Sequence, residues 1–217
     1  LDIGTGSGWF ATYFEQAGAN VTTVDARGYC DFDVFGRYSV PDVSTEKMVP
    51  DRLSDDGSPL YYSPVSKGYW IMKELLGLKA RYINSRVYDI CPETFNGKKF
   101  DLVFMGSLLM HLRDPVGALM AARSVCKNRL IANSLVPPKN IQEDFPVMEF
   151  IHSQDSKINW WRPNKSCLSA IARSAGFSNV SLNANVSITA DKPFVNPKTG
   201  RTSGCTQELF LLDANIS

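Results

Sequence analysis

The stretch LDIGTGSGWF, residues 1–10, decides the fold class of this chain. Its three glycines, Gly4, Gly6 and Gly8, precede WFATYFEQAG, which has the apolar spacing of a helix. A glycine loop between a strand and a helix brings the backbone close to a ligand, beside the positive N-terminal end of the helix. The stretch therefore predicts the first strand, loop and helix of an α/β fold that binds a nucleotide-like ligand.

The rest of the chain alternates strand-like and helical segments. The strand-like segments are NVTTVDA, ARYINSRVYDI, KFDLVFMGSLL and RLIANSLV, and the helical ones are VSKGYWIMKELLGL, DPVGALMAARSV and KSCLSAIARSAG. Asp114 with Pro115, and later Asn164, are expected to cap the last two helices. Such alternation predicts a doubly wound, Rossmann-like α/β fold with a mostly parallel seven-stranded sheet. The last two strands, NVSLNANVSI and TQELFLLDA, have no helix between them and are expected to form an antiparallel C-terminal hairpin.

The length of 217 residues fits a single domain over 1–217. Fewer residues precede the first glycine than a central strand needs, so we expect further residues before Leu1. Two long connections, 26–62 and 136–162, are rich in proline and polar residues and predict no regular element. We expect them to act as inserted lid or substrate loops.

Composition narrows the class of partner and the compartment. The 23 basic and 22 acidic residues leave a net charge of +1, which does not favour a nucleic-acid partner. No apolar run approaches the length that crosses a membrane, and no compact cluster of histidines and carboxylates predicts a metal. Five scattered cysteines without close pairs predict free thiols and a cytoplasmic location, namely Cys30, Cys91, Cys126, Cys167 and Cys205.

The spacing of the glycines separates two kinds of ligand. Dinucleotide-binding folds use G-x-G-x-x-G to seat a pyrophosphate. Here the spacing is G-x-G-x-G, Trp9 fills the place of the third dinucleotide glycine, and Asp2 lies two positions before the loop. A carboxylate so close would repel a pyrophosphate and attract an ammonium or sulfonium group.

These residues resemble motif I of the class I S-adenosylmethionine-dependent methyltransferases. The resemblance implies that Asp25, which ends the second strand, binds the ribose hydroxyls, and that Asp89 in VYDI contacts the adenine amino group. FDLVFMGSLLMHL is similar to the fourth-strand motif of the family, which closes the cofactor site and begins the substrate site. The resemblance thus implies S-adenosyl-L-methionine as cofactor, with binding residues Asp2, Gly4, Gly6, Gly8, Asp25, Asp89, Ile90 and Gly106.

Two further stretches resemble one branch of this family. GSLLMHLRDPVGAL and WWRPNKSCLSAIARSAGFSNV are similar to a branch that includes the tRNA wobble-uridine alkyltransferases and related small-molecule methyltransferases. The tRNA enzymes have a tyrosine directly before the histidine, whereas this chain has Met110. We therefore predict methyl transfer to an oxygen or nitrogen atom of a small molecule. The alternatives are a tRNA-modifying enzyme, with a basic surface from Lys127, Arg129, Lys198 and Arg201, or an inactive cofactor-binding partner subunit.

His111 is the candidate catalytic residue. It follows the fourth strand, where substrates of the family approach the methyl group, and its ordinary pKa suits a general base near neutral pH. The alternative is a histidine packed under the following helix without a chemical role. His152, in the second connection, is a further candidate.

Trp160, Trp161 and Arg162 are candidate substrate-binding residues. Two adjacent tryptophans cannot both point inward, so one is expected to line a cleft, and Arg162 would suit a carboxylate or phosphate. The alternative is a pair of core aromatics before a helix cap. For Asp25 and Asp89 the alternatives are a helix cap and a solvated turn residue.

Overall fold

The computed structural model describes residues 1–26, 32–33, 47–53, 59–62, 66–137, 141–151, 159–188, 194–195, 202–203 and 207–216. The helices of this part are α1 (Trp9–Gln16), α2 (Lys67–Leu76), α3 (Pro115–Val125) and α4 (Lys165–Ser174). Its strands are β1 (Asp2–Ile3), β2 (Thr22–Asp25), β3 (Lys47–Leu53), β4 (Pro59–Tyr62), β5 (Arg81–Asn84), β6 (Phe100–Met105), β7 (Cys126–Leu135), β8 (Met148–Phe150), β9 (Trp161–Pro163), β10 (Asn179–Ile188), β11 (Phe194–Val195), β12 (Thr202–Ser203) and β13 (Gln207–Asn215).

The main sheet has seven strands in the order β5-β2-β1-β6-β7-β13-β10. The first five in this order are parallel, while β13 pairs antiparallel with both β7 and β10. The predicted doubly wound sheet and its antiparallel C-terminal hairpin are therefore confirmed. The strand order reverses direction between β1 and β6, which places a topological switch point at the centre of the sheet.

Strand β1 fills this central position with only two residues. Asp2 is aligned with Thr23 of β2 on one side and with Phe104 of β6 on the other. The carbonyl of Leu1 also accepts a hydrogen bond from the backbone N–H of Phe104, at 2.8 Å. So short a strand is held because it has partners on both of its edges.

The two long connections contain strands that the sequence did not predict. Strands β3 and β4 form an antiparallel pair within 26–62, and β8, within 136–162, pairs antiparallel with β9, which extends to Pro163. The prediction of no regular element was wrong for these parts. Pro50 and Pro59 lie in the first pair. Proline in a sequence usually indicates a turn, although a strand at the edge of a sheet tolerates it. Strands β8 and β9 have three residues each, too few to show a period of two.

The predicted helix caps are confirmed. The Asp114 carboxylate accepts a hydrogen bond from Gly117 N at 2.8 Å, and Asn164 Oδ1 accepts one from Cys167 N at 2.8 Å. Asn164 is fully buried and also donates to the carbonyls of Gln142 and Phe145, at 2.6 Å each. This side chain thus joins the start of α4 to the segment that precedes β8.

The helices pack on the sheet in two groups. Residues of α3 and α4 share one buried cluster with β6, β7 and β13, while α1 and α2 contribute Ala11 and Tyr69 to a smaller one. Cys91, Cys126 and Cys167 are free thiols, as predicted, whereas Cys30 and Cys205 lie outside the described residues. None of the helices in the described part of the chain combines the length and apolar character that crossing a bilayer requires.

Candidate functional site

A cavity of about 280 Å³ lies at the carboxyl ends of β1, β2, β5 and β6. Ligands of open α/β sheets bind at this edge, next to the switch point. Its wall contains residues from every one of these strand ends, namely Gly4 and Gly6 after β1, Asp25 and Ala26 at the end of β2, Ser85, Arg86, Val87 and Tyr88 after β5, and Ser107, Leu108, His111 and Leu112 after β6. Phe32 and Asp33 complete the wall from the first long connection.

The glycines of the first loop meet three different surroundings. Gly6 has a positive φ of 52° and a Cβ there would meet nothing within 4 Å, so the loop leaves open space beside the cavity. Gly8 has a φ of 80°, and a Cβ there would come within 2.8 Å of the Tyr69 ring. At Gly4 a Cβ would meet the Leu108 side chain at 3.1 Å. Gly6 therefore keeps the ligand side of the loop free, while Gly8 allows α2 to pack closely.

Asp25 belongs to the cavity wall and is bonded to the glycine loop. Its Oδ2 accepts a hydrogen bond from Gly6 N at 2.7 Å, and its Oδ1 accepts one from Ala26 N at 2.8 Å. Burial raises the pKa of this carboxyl from its ordinary 3.8 to about 6, against the opposing effect of these two hydrogen bonds. The predicted contact of this side chain with the ribose stays a prediction.

Asp2 lies beneath the loop and outside the cavity wall. It is almost fully buried, and its Oδ2 accepts a hydrogen bond from the Thr5 hydroxyl at 2.7 Å. Burial raises the pKa of Asp2 to about 6, with the Thr5 hydrogen bond acting in the opposite direction. In this position the carboxyl ties β1 to the loop that follows it.

The part of the cavity wall that follows β5 is formed by residues that precede Asp89 and Ile90, the two residues predicted to bind the cofactor. Arg86, Val87 and Tyr88 line the cavity, whereas Asp89 is exposed and Ile90 is buried in the core. The reason is a 3₁₀ turn over Val87–Asp89, which directs successive side chains to different sides. The predicted Asp89 carboxylate consequently lies next to the wall and not within it.

Gly106 has a packing explanation in this structure. A Cβ at Gly106 would come within 2.5 Å of the Phe104 ring and 3.0 Å of the Phe10 ring, and the residue is not in the cavity wall. The following residue, Ser107, lines the cavity with a positive φ of 53°. Its backbone N–H donates to Asn133 Oδ1 at 2.6 Å, which holds this backbone in place.

His111 lies in the cavity wall, as the sequence predicted for a residue after the fourth strand. It ends a 3₁₀ turn over Leu109–His111 that immediately precedes α3. Its position beside the strand ends is compatible with the predicted role as a general base, which stays a prediction. His152 lies outside the described residues.

Trp160, Trp161 and Arg162 are not part of the cavity wall formed by the described residues. The Trp160 indole N–H donates to the carbonyl of Asp33 at 2.7 Å, and that of Trp161 donates to the carbonyl of Arg113 at 3.0 Å. The Arg162 guanidinium forms an ion pair with Glu149 at 3.0 Å. These contacts join neighbouring segments around the site, and the predicted substrate contacts stay a prediction.

Sequence reasoning missed the contact between Asp33 and Tyr88. The Tyr88 hydroxyl donates a short hydrogen bond to Asp33 Oδ2, and burial, followed by this hydrogen bond, raises the pKa of Tyr88 far above its ordinary value. The phenol therefore stays protonated and acts as a donor. Asp33 lies in a segment without a recognisable pattern, so the sequence gives no local signal for this pair.

Two of the four basic residues that were expected to form an RNA-binding surface are paired with acidic residues. Lys127 pairs with Asp101 at 3.2 Å, and Arg129 pairs with Asp213 at 2.7 Å, so both basic groups proposed for an RNA surface face an acid. Lys198 and Arg201 lie outside the described residues. The described residues place no group of three or more histidines, cysteines, aspartates or glutamates where it could hold a metal ion.

Comparison with known proteins identifies the family. A family model described as a methyltransferase domain matches residues 1–182. No curated protein sequence is significantly similar to the chain. Among solved structures, 1,6-didemethyltoxoflavin-N1-methyltransferase of Burkholderia thailandensis, bound to 1,6-didemethyltoxoflavin and S-adenosylhomocysteine, has a TM-score of 0.56 at 15% identity, covering 100% of this chain and 70% of that one.

Two more structures have the same fold. Magnesium protoporphyrin IX methyltransferase of Synechocystis PCC 6803, with bound S-adenosylhomocysteine, has a TM-score of 0.55 at 16% identity and covers 100% of this chain and 73% of its own. The YcgJ protein of Bacillus subtilis has a TM-score of 0.59 at 11% identity, with coverage of 100% and 90%. At such identities the likeness concerns the fold, whereas the family model matches the sequence itself. The chain belongs to the methyltransferase-domain family.

Proposed function

We propose that this methyltransferase transfers the methyl group of S-adenosylmethionine to an oxygen or nitrogen atom of a small-molecule acceptor. Membership in the family identifies the class of enzyme and its methyl donor. The observation that carries the proposal is the cavity at the four strand ends, because it joins the glycine loop, a buried carboxylate and His111 in one wall. The toxoflavin and protoporphyrin enzymes of the same fold act on small molecules, which supports an acceptor of this size.

The residues of the cavity suit S-adenosylmethionine in three respects. Gly6 leaves open space where a side chain would otherwise project, and Asp25 offers carboxylate oxygens beside it. The Arg86 Nε, in the part of the wall that follows β5, is buried and finds no hydrogen-bond partner among the described residues. A donor of this kind in a cavity wall supports the proposal of a polar ligand, since buried polar groups rarely go unpaired. We assign Asp25 to the ribose hydroxyls and the turn that begins at Arg86 to the adenine.

Methyl transfer by direct displacement requires little of the protein beyond orientation of the acceptor and the methyl group. S-adenosylmethionine supplies a methyl group on a positively charged sulfur, and transfer leaves the neutral thioether. The walls around His111 and Leu108 hold the acceptor in line and exclude water, which accounts for much of the rate of such a displacement. We propose that His111 accepts the proton that a hydroxyl acceptor loses on attack. An amine acceptor depends less on this base.

The two long connections are proposed to cover the acceptor. Phe32 and Asp33 of the first connection already form part of the cavity wall, and Trp160 of the second bonds to the Asp33 carbonyl at 2.7 Å. The described parts of both connections therefore meet beside the strand ends. We propose that Trp160, Trp161 and Arg162, whose polar groups bond to neighbouring segments, use their remaining surfaces to border an acceptor that extends beyond the cavity.

Binding and transfer can be tested separately. Isothermal titration with S-adenosylhomocysteine is expected to give a one-to-one complex, and absence of binding would contradict the proposal at its first step. Incubation with S-adenosylmethionine carrying a labelled methyl group, against a panel of phenols, alcohols, amines and carboxylates, is expected to label the preferred acceptor.

The base is tested with the only two histidines of the chain. His111→Gln is expected to lower turnover of a hydroxyl acceptor by about 10²–10⁴-fold while S-adenosylhomocysteine binds as before. His152→Gln tests the further candidate in the same assay, and retained turnover in that variant assigns the proton transfer to His111. Equal loss of turnover and of cofactor affinity in His111→Gln would assign this residue to the structure of the site and not to proton transfer.

Two other outcomes would replace the proposal. Strongly salt-dependent binding of tRNA, with methylation of the RNA, would favour the tRNA-modifying branch of the resemblance. Binding of S-adenosylhomocysteine without labelling of any acceptor, together with stable association with another protein, would favour an inactive partner subunit.

A further inference from the structure

The turn that carries His111 is held from outside by three distant segments of the chain. Within the turn, His111 N donates to the Leu108 carbonyl at 2.9 Å. From outside, Trp160 N donates to the carbonyl of Met110 at 2.8 Å. The backbone N–H groups of Arg113 and Asp114, which directly follow the turn, point at acceptors on other segments. A short 3₁₀ turn has few hydrogen bonds of its own, so such contacts fix its orientation.

The acceptors for these two N–H groups, Asp33 and Tyr88, are hydrogen-bonded to each other. Arg113 N donates to Asp33 Oδ2 at 2.8 Å, and Asp114 N donates to the Tyr88 hydroxyl oxygen at 3.1 Å. The Tyr88 hydroxyl in turn donates to the same Oδ2 of Asp33. Asp33 Oδ2 thus accepts two hydrogen bonds. The Tyr88 hydroxyl also links it to the backbone N–H of Asp114. The Asp33 side chain is 5% exposed, and hydrogen bonds to a charged carboxylate are stronger than those between neutral groups.

The Arg113 guanidinium contributes little to this arrangement. It lies 3.8 Å from Asp33 Oδ1, and its side chain is 64% exposed. Ion pairs with such exposure have small net effects because water screens them. The backbone of Arg113, and not its side chain, is therefore the partner of Asp33.

We propose that Asp33 is a positioning residue for methyl transfer: with Tyr88 it binds the backbone after the Leu109–His111 turn and so holds His111 toward the cavity. The proposal rests on the proposed role of His111. Trp160 strengthens the arrangement from the second connection, because it bonds to Met110 through its backbone N–H and to the Asp33 carbonyl through its indole. The described parts of the two connections around Asp33 and Trp160 are therefore both bonded to the segment that carries His111.

The experiment measures the turn directly and needs no acceptor. Backbone amide hydrogen exchange is followed by NMR for Arg113 and Asp114, with Ala118 of α3 as an internal reference for general destabilisation. The imidazole resonances of His111 are recorded in a His152→Gln background, in which His111 is the remaining native histidine. The variants are Asp33→Ala, Asp33→Asn and Tyr88→Phe, and Arg113→Ala is the matched control because it retains the backbone N–H.

A graded pattern is expected. Asp33→Ala lowers protection of both amides by at least about tenfold relative to Ala118, as for loss of a hydrogen bond to a charged acceptor, and shifts the His111 resonances. Asp33→Asn restores part of the Arg113 protection, since its amide oxygen still accepts. Tyr88→Phe exposes the Asp114 amide while Arg113 stays protected, and Arg113→Ala changes neither amide nor the His111 resonances.

Other results would overturn the proposal. Unchanged His111 resonances in Asp33→Ala, or protection lost equally at Ala118, would show that Asp33 only stabilises the fold. If Asp33→Ala does not fold, Tyr88→Phe decides the matter, because undiminished Asp114 protection in that variant contradicts the network. Titration with S-adenosylhomocysteine in the same samples reports on the proposed cofactor site, so failure of that function is seen independently.

Discussion

The Asp25 carboxylate and the backbone N–H of Gly6 are joined by a hydrogen bond of 2.7 Å. This bond connects the end of β2 to the middle of the glycine loop, so the residue proposed to contact the ribose also fixes the loop beside it. The other carboxylate oxygen accepts a hydrogen bond from Ala26 N. A change of charge at Asp25 therefore affects the end of β2, the glycine loop and the backbone at Ala26.

Asp25→Asn is expected to weaken binding of S-adenosylhomocysteine by about 10–100-fold, because it replaces a charged acceptor of two hydrogen bonds by a neutral amide. Isothermal titration measures the change. In the native protein the affinity should also fall as pH drops through about 6, where Asp25 becomes protonated. Asp101→Asn, a change at the exposed start of β6, serves as control and should leave the affinity unaltered.

Asp89→Ala tests the proposed adenine contact of a residue next to the cavity wall. If its carboxylate bonds to the adenine amino group, the variant loses about tenfold in affinity for S-adenosylhomocysteine. It should lose nothing for the inosine analogue, which lacks that amino group. Equal losses for both ligands in isothermal titration would assign Asp89 to the shape of the Val87–Asp89 turn.

Asp2 makes stability depend on pH in a defined direction. Burial raises its pKa from 3.8 to about 6, so the folded protein binds this proton more tightly than the unfolded chain. The free energy of unfolding consequently falls as pH rises from about 4 to 6, by at most about 3 kcal/mol from this group. Asp2→Asn should gain stability relative to the native protein across that interval, as urea denaturation at several pH values would measure. A constant difference between the two proteins would contradict the assignment.

Three glycines with positive φ allow the stability cost of backbone strain to be separated from that of a steric contact. Gly97 has a φ of 77° and open space around it, so Gly97→Ala should cost about 1–2 kcal/mol for the left-handed backbone alone. Gly6→Ala should cost a similar amount of stability but also weaken S-adenosylhomocysteine binding. Gly8→Ala should destabilise the protein most, because its Cβ would come within 2.8 Å of Tyr69. Similar stability of Gly8→Ala and Gly97→Ala in urea denaturation would show that α2 can move away.

Asn164 should be more costly to remove than the other helix cap. Asn164→Ala loses the cap and also the two partly buried hydrogen bonds that Asn164 donates to the carbonyls of Gln142 and Phe145, so we expect a loss of about 2–3 kcal/mol. Asp114→Ala removes only an exposed cap and should cost about 1 kcal/mol. Thermal or urea denaturation of the two variants measures this difference, and equal losses would mean that water replaces the buried donor.

The parts of the fold that were predictable are those with local signals. Alternating strands and helices predicted the sheet and its antiparallel hairpin, and the caps at Asp114 and Asn164 have the residue types that helix starts prefer. Gly4, Gly6, Asp25 and His111 all lie in the cavity wall because the carboxyl ends of parallel strands meet at one edge, and the roles predicted for them stay predictions.

The parts that were missed depend on contacts between distant residues. Asp33 meets Tyr88 and the backbone of Arg113, yet no spacing in the sequence connects these three positions. Nor did the sequence indicate that the indole N–H groups of Trp160 and Trp161 each bond to a backbone carbonyl of another segment, and the predicted substrate contacts of these residues stay a prediction. Side chains with both an apolar body and a donor can serve either purpose, and only the tertiary arrangement decides between them.

The central position of strand β1 in the sheet has a consequence for the order of folding. Its partners are Thr23 on one side and Phe104 on the other, so the glycine loop gains its second support only when β6 has joined the sheet. Pairings between residues so far apart form slowly, because a long loop must close first. During refolding, helices α2 and α3 should therefore appear before the protein can bind S-adenosylhomocysteine, and the ligand should slow unfolding more than it speeds folding.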